Sequence, residues 1–283
     1  MILIDINQVV LSGLMAQIDQ KKQFDMPEDM FRHIVLNIIR SHVKKFKNKY
    51  GEVIICCDNR KYWRKEVFEF YKASRKKSRE KSKLDWHYIF DMLTKFKDEI
   101  KQNMPYKVID VEGAEADDII ATLAESSNPN KEKVLVLSSD NDFLQLQMFK
   151  NVTQYNPATK KFLVSESPVQ DLKLKVIQGD KGDGIPNVLS PGDTFVSGGR
   201  QKALTEANLA LLLNTPHEDW SDDVAKKGFE RNRQLIDFRY IPKELKEKII
   251  NEYKTVKPQS RQKMFSYFID KRLTNLMDVI EEF

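Results

Sequence analysis

Nine carboxylates recur where apolar, strand-like runs end and helical patterns begin. They are Asp5 after ILID, Asp58 after VIICC, the cluster Glu115, Asp117 and Asp118, the pair Asp140 and Asp142 after VLVLSS, and Asp180 and Asp183 in GDKGD. A parallel α/β sheet gathers the carboxyl ends of its strands along one crevice, so acids far apart in sequence are expected to converge. Carboxylates at that density repel one another unless cations neutralise them. An all-oxygen donor set suits hard ions, two Mg²⁺ with Mn²⁺ as a substitute. A carboxylate-held pair of such ions hydrolyses phosphodiesters. Taken singly, each acid has a plainer reading as a helix cap or turn residue. Asp5 is the exception, because no helix is expected for it to cap.

The elements that must position these acids follow from the apolar pattern. ILID reads as a buried strand. Met30, Phe31, Ile34, Val35, Ile38, Ile39, Val43 and Phe46 recur at helical spacing after Pro27, and Gly51 closes that helix. VIICCD is a second strand, followed by YKVID leading into AEADDIIATLAE and by KVLVLSSD leading into NDFLQLQ. Strands alternating with helices predict an α/β fold with a parallel sheet covered on both faces. The pattern changes near residue 165. SPVQDLKLKVIQ is helical, GDKGDGIPNV is a tight turn, and residues 200–282 are helix-rich, so the chain is expected to divide into 1–165 and 166–283.

Residues 60–83, RKYWRKEVFEFYKASRKKSREKSK, hold eleven Lys or Arg against three Glu, interleaved with Tyr62, Trp63, Phe68, Phe70 and Tyr71. Cations track phosphates by releasing counterions, and aromatic rings stack on unpaired bases. A solvated helix face is the plainer alternative. Arg64, Lys65, Lys76 and Arg79 are candidate phosphate contacts. In the turn, Lys181 with Gly182 and Gly184 offers a cation and backbone N–H groups to a phosphate. A branched residue at Gly184 is then expected to weaken duplex binding and spare the maximal rate.

Other chemistries find no support. The four histidines share no ligand spacing, no Ser-His-Asp or Cys-His set stands out, and no nucleotide-triphosphate loop or internal repeat is present. Cys56 and Cys57 are adjacent and suit a reducing compartment. A net charge of +5 on 283 residues permits a polyanionic partner without requiring one. With no signal-like start and no spanning run, a soluble, cytoplasmic monomer is expected.

In their order, LIDINQ, CCDNR, YWRKEVFEFYKASR, EAEADD, LSSDNDFLQL and GDKGDGIPNV resemble the flap endonuclease, or 5′-nuclease, family, and within it the branch of the T-even bacteriophages. The likeness runs through nearly the whole chain. It implies a PIN-like α/β nuclease core, a helical arch at about residues 60–85, and a helix–three-turn–helix region binding duplex DNA. It implies cleavage of RNA–DNA and DNA duplexes at 5′ ends and flaps, which removes RNA primers in lagging-strand replication. The family's first metal site would fall on Asp5, Asp58, Glu115, Asp117 and Asp140. The second would fall on Asp142, Asp180 and Asp183, with Asp118 in the outer shell. YKASR matches the arch motif, making Tyr71 a stacking ring and Lys72 and Arg75 cations on the scissile phosphate. Relatives carry a second glycine-rich turn that helps hold K⁺; NVLSPGDTFVSGGRQ stands in its place here and puts that site in question. Some phage relatives have an N-terminal extension that this chain lacks, so docking through one is not expected. A single-stranded-DNA-binding protein and a sliding clamp are partners implied by the family alone. The competing readings are a PIN-type endoribonuclease and a non-catalytic DNA-binding protein with a nuclease fold.

Overall fold

Four apolar runs become strands buried on both faces, and they lie side by side. The structure is a computed structural model that describes residues 1–15, 26–82 and 84–283, without the side chains of Lys76, Lys77 and Ser78. In chain order the first elements are β1 (Ile2–Asp5), α1 (Ile6–Met15), α2 (Glu28–Tyr50), β2 (Val53–Cys56), α3 (Arg64–Val67) and α4 (Ser74–Glu80). Next come α5 (Trp86–Asn103), β3 (Lys107–Ile109), α6 (Ala116–Ser127), β4 (Val134–Leu137), β5 (Val152–Asn156) and β6 (Lys161–Leu163). The remaining helices are α7 (Pro168–Gln178), α8 (Glu206–Asn214), α9 (Asp223–Ile236), α10 (Lys243–Thr255), α11 (Arg261–Asp270) and α12 (Thr274–Met277).

The sheet runs β3-β2-β1-β4-β5-β6, with β6 antiparallel and the rest parallel. The register pairs Asp5 with Cys56, Ile4 with Leu137 and Cys56 with Ile109, so four strand ends are level. Continuous Val, Ile and Leu runs suit strands covered by helices on both faces. The antiparallel hairpin β5–β6 was not expected. Its turn is built by Asn156, whose side chain accepts from the N–H groups of Ala158 and Thr159 at 2.9 and 3.0 Å. The run NDFLQLQ forms a 3₁₀ segment, Asn141–Met148, rather than an α-helix.

The chain forms two units, and their boundaries differ from a single cut near 165. The first is Met1–Arg60, Lys83–Val164 and Glu244–Phe283; the second is Lys61–Ser82 and Ser165–Lys243. The C-terminal helices return to the α/β unit because its core needs them: Met264, Phe268 and Phe283 are fully buried in one cluster with Phe31, Ile89 and Phe96. The basic segment joins the second unit for the same reason, since Phe68 and Tyr71 pack with Val176, Ile177, Trp220 and Phe229. Among the described residues, no helix is long and apolar enough to cross a membrane.

Candidate active site

Parallel pairing places Asp5, Asp58, Glu115, Asp117 and Asp140 at or just past the carboxyl ends of β1, β2, β4 and the loop after β3. Asp5 is buried, and among the described residues its carboxylate accepts from neutral donors, the Gln8 N–H and the Ser138 hydroxyl, both at 3.2 Å. Burial first, then the charges of Asp58 and Asp140, push its pKa up to about 7. The buried Cys56 thiol is raised as well, by burial, by Cys57 and then by Asp5 and Asp117. These acids therefore share one field. Asp5 also corrects the sequence expectation: α1 starts at the next residue, and the bond to Gln8 N–H is an N-terminal helix cap.

Other candidate acids also make structural hydrogen bonds. Asp58 is exposed and accepts from Asn7 Nδ2 and the Ala116 N–H, both at 2.8 Å, which ties β2 to the start of α6. Asp140 caps the 3₁₀ segment by accepting from the Asp142 N–H at 2.9 Å. Glu115 is buried at the start of α6, and Asp117 is half-buried two residues on. Asp118, expected in an outer metal shell, is fully buried and accepts from the Glu115 N–H at 2.9 Å, so it serves the helix start. Among the described residues, no three His, Cys, Asp or Glu side chains already converge on one ion-sized point. The acids form a charged mouth rather than a closed cage.

Several neutral residues that the carboxylate pattern does not reveal hold this mouth together. Asn59 Nδ2 donates to Asp110 at 2.8 Å, and Lys97 pairs with the same carboxylate. Gln8, Ser138 and Gln154 bracket the loop that carries Asp140. Their one-letter sequence carries no charge or spacing signal. Only the strand register brings them here.

The second unit holds Asp180 and Asp183 on the turn after α7. Gly179 and Gly184 have φ of 73° and 76°, and an antiparallel bridge joins Asp180 to Ile185. Gly182 does not have positive φ, so its freedom is not what shapes the turn. Burial is the largest influence on Asp180 and pushes its pKa up, but Lys175 at 3.0 Å and the N–H groups of Asp183 and Gly182 outweigh it and hold the carboxyl low. Asp183 accepts from the Tyr71 hydroxyl at 2.9 Å, pairs with Arg75, and has Lys72 Nζ at 3.8 Å. A Cβ on Gly184 would stand 3.0 Å from Phe70 O, so this glycine permits contact with the segment 70–75.

Three nucleic-acid expectations change here. The Tyr71 ring is only 2% exposed and edge-on to Tyr62, so it is a packing residue in this structure rather than a displayed stacking surface. Trp63 and Phe68 are buried too. Arg64 is 2% exposed and donates Nε to Leu235 O at 2.8 Å, which makes it an internal brace instead of a phosphate contact. Lys65, Arg79, Lys181 and Gly182 are exposed. The Lys76 side chain and Lys83 lie outside the described residues.

Comparison with known proteins adds the family context. Residues 1–173 match the family described as 5′-3′ exonuclease, N-terminal resolvase-like domain, and residues 166–283 match T4 RNase H, C terminal. The chain is 35% identical over 291 residues to the ribonuclease H of Enterobacteria phage T4, covering 99% of this chain and 95% of that protein. It is 29% identical over 162 residues to a 5′-3′ exonuclease of Buchnera aphidicola subsp. Acyrthosiphon pisum, covering 54% of each. Among solved structures, the bacteriophage T5 D15 flap endonuclease in a pseudo-enzyme-product complex with DNA and metal ions has a similar fold. Its TM-score is 0.62 at 17% identity, covering 90% of this chain and 98% of that one.

Proposed function

We propose that this chain, which belongs to the 5′-3′ exonuclease family, cleaves RNA–DNA and DNA duplexes at 5′ ends and flaps with the help of divalent metal ions. It is a 5′ nuclease, a phosphodiester hydrolase. One observation carries the metal reading. Asp5 is buried beside Asp58 and Asp140, its hydrogen-bond donors among the described residues are the neutral Gln8 N–H and Ser138 hydroxyl, and its pKa is pushed up to about 7. A hard divalent ion is the charge that such a set of oxygens fits.

Asp5, Asp58, Glu115, Asp117 and Asp140 would hold the metal. Mg²⁺ or Mn²⁺ bound there would supply an activated water and stabilise negative charge on the phosphate. No side-chain nucleophile is then needed. In the second unit, Lys72 and Arg75 are gathered on Asp183. As cations next to a cleaved phosphate they would act as electrostatic clamps. Assignment of Asp142, Asp180 and Asp183 to a second ion rests on the motif resemblance. Removal of RNA primers and 5′ flaps during replication is the role such cleavage would serve.

The test uses three labelled substrates with Mg²⁺: a 5′-flap duplex, a nicked RNA–DNA hybrid and single-stranded RNA. The first two should be cut to products ending in a 5′-phosphate. Chelation, or Asp140→Asn, should stop both reactions. Cutting only single-stranded RNA would point to an endoribonuclease. Binding of all three without cleavage would sink the enzymatic reading.

A further inference from the structure

The short loop Ser138–Asp140 is gripped from two sides by amide side chains. From α1, Gln8 Oε1 accepts from the Ser139 N–H at 3.1 Å, and Gln8 Nε2 donates to the Ser139 hydroxyl. From β5, Gln154 Nε2 donates to Ser138 O at 3.0 Å and to Asp140 O at 2.7 Å. Both amide hydrogens of Gln154 are thereby used. Between these grips, the Ser138 hydroxyl accepts from the Asp140 N–H and donates to Asp5, each at 3.2 Å.

We propose that Gln8 and Gln154 are positioning residues for the metal centre, fixing the Asp140 loop against Asp5 before any ion arrives. This rests on the metal-hydrolysis reading above. The strand register brings the like charges of Asp5, Asp58 and Asp140 to one mouth, so an unbraced loop would let Asp140 swing outward. Lysine or arginine could brace it, but would also neutralise the carboxylates and compete with the ion. A neutral amide avoids that conflict. Each glutamine's side-chain amide binds backbone or hydroxyl groups and occupies no carboxylate oxygen. Gln154 is 1% exposed and Ser138 is fully buried, so the β5 side of the brace lies in the packed interior. Polar partners just behind metal ligands typically change metal affinity or activity by about 10–100-fold when removed.

The experiment compares full-length wild type with Gln154→Met and Gln8→Met, which keep side-chain length and lose the amide. Mn²⁺ binding is measured calorimetrically without nucleic acid, and unfolding is followed in chelator. The tighter Mn²⁺ affinity should fall by about tenfold or more in each variant. The Mg²⁺ concentration for half-maximal cleavage should rise by a similar factor. A purely structural glutamine would lower the unfolding midpoint and leave the Mn²⁺ affinity of the folded protein unchanged, and affinity within twofold of wild type would overturn the proposal. If Gln154→Met does not fold, Gln8→Met still decides, since Gln8 is only half-buried. Asp5→Asn and Asp140→Asn separate the two layers. If they bind Mn²⁺ normally, the metal reading itself fails. If they lose binding while both glutamine variants keep it, only the positioning role fails.

Discussion

Replacing Gly184 with valine should damage the reaction step, not only duplex affinity. Gly184 sits at φ +76°, and an added Cβ would lie 3.0 Å from Phe70 O and 3.6 Å from Lys72 N. Next to it, the Lys72 N–H donates to Asp183 O at 2.7 Å, and Lys72 itself has φ of 57°. Two left-handed residues thus face each other across one hydrogen bond. A branched residue held at positive φ costs about 1–3 kcal/mol, and loss of the bond adds roughly 1 kcal/mol. The valine methyl groups reach beyond Cβ toward the Phe70 carbonyl, so the least costly relaxation withdraws segment 70–75 from the turn. That segment carries Lys72 and Arg75. The glycine pattern alone suggested an approach to phosphate; the structure puts the arch backbone in that space.

The assay is single-turnover cleavage of a flap duplex at saturating enzyme, beside affinity for the duplex and for its bare strand. Displacing two clamping cations should lower the maximal rate by about 10–100-fold, because preorganised charge acts steeply with position. Gly184→Ala provides the graded control. It adds the 3.0 Å contact and the strain of a side chain at positive φ without the further methyl groups, and should fall between wild type and valine. A maximal rate within twofold of wild type, with duplex affinity alone reduced, would refute the reasoning and restore a direct phosphate contact at the turn.

Further outcomes test other parts. Asp5→Asn should cut cleavage by at least about a hundredfold, yet raise stability in chelator at pH 8 by about 1–3 kcal/mol. The carboxyl ionises near 7 in the folded state against an ordinary 3.8, so its burden on the fold is absent below 3.8, grows as pH rises and is complete above 7; a gain equal at pH 4 and pH 8 would contradict this. Arg32 is 2% exposed and donates to Glu99 at 2.7 and 2.9 Å, so Arg32→Met should cost about 3 kcal/mol in urea unfolding by leaving the partly buried Glu99 without its main partner. A chain ending at Lys243 should lack a cooperative unfolding transition, because it loses Met264, Phe268 and Phe283 from the first unit's core; a folded, active product would show that those helices are dispensable. Lys72→Ala should lower the single-turnover rate by about 10²–10³, whereas Lys81→Ala should chiefly weaken binding and reduce its salt slope by about one.

The parallel strands and most of the carboxylate mouth are legible in the sequence for one reason. A strand buried on both faces needs an unbroken apolar run, and each run is followed within three residues by an acid. The order of those motifs also carries the family, which the matches to both halves bear out. Other elements were legible in principle. Ile89, Met92, Leu93, Phe96 and Ile100 of α5 recur at helical spacing, as do Ile6, Val9, Val10 and Leu14 of α1. What the sequence withholds is which side of a residue faces the core. Arg64 and Tyr71 sit in a basic, aromatic run that reads as a nucleic-acid surface, and only packing against α9 and the turn turns them inward. The return of 244–283 to the first unit is equally hidden, since an amphipathic helix does not state which core it completes. Gln8 and Gln154 mark the deepest limit. A carboxylate announces chemistry by its charge, but the amides that hold its loop are neutral: Gln8 lies 131 residues from Ser139, and Gln154 lies 14 from Asp140 with no charge to mark it. Its role exists only through the pairing of β4 with β5, which sets Gln154 beside the loop it holds.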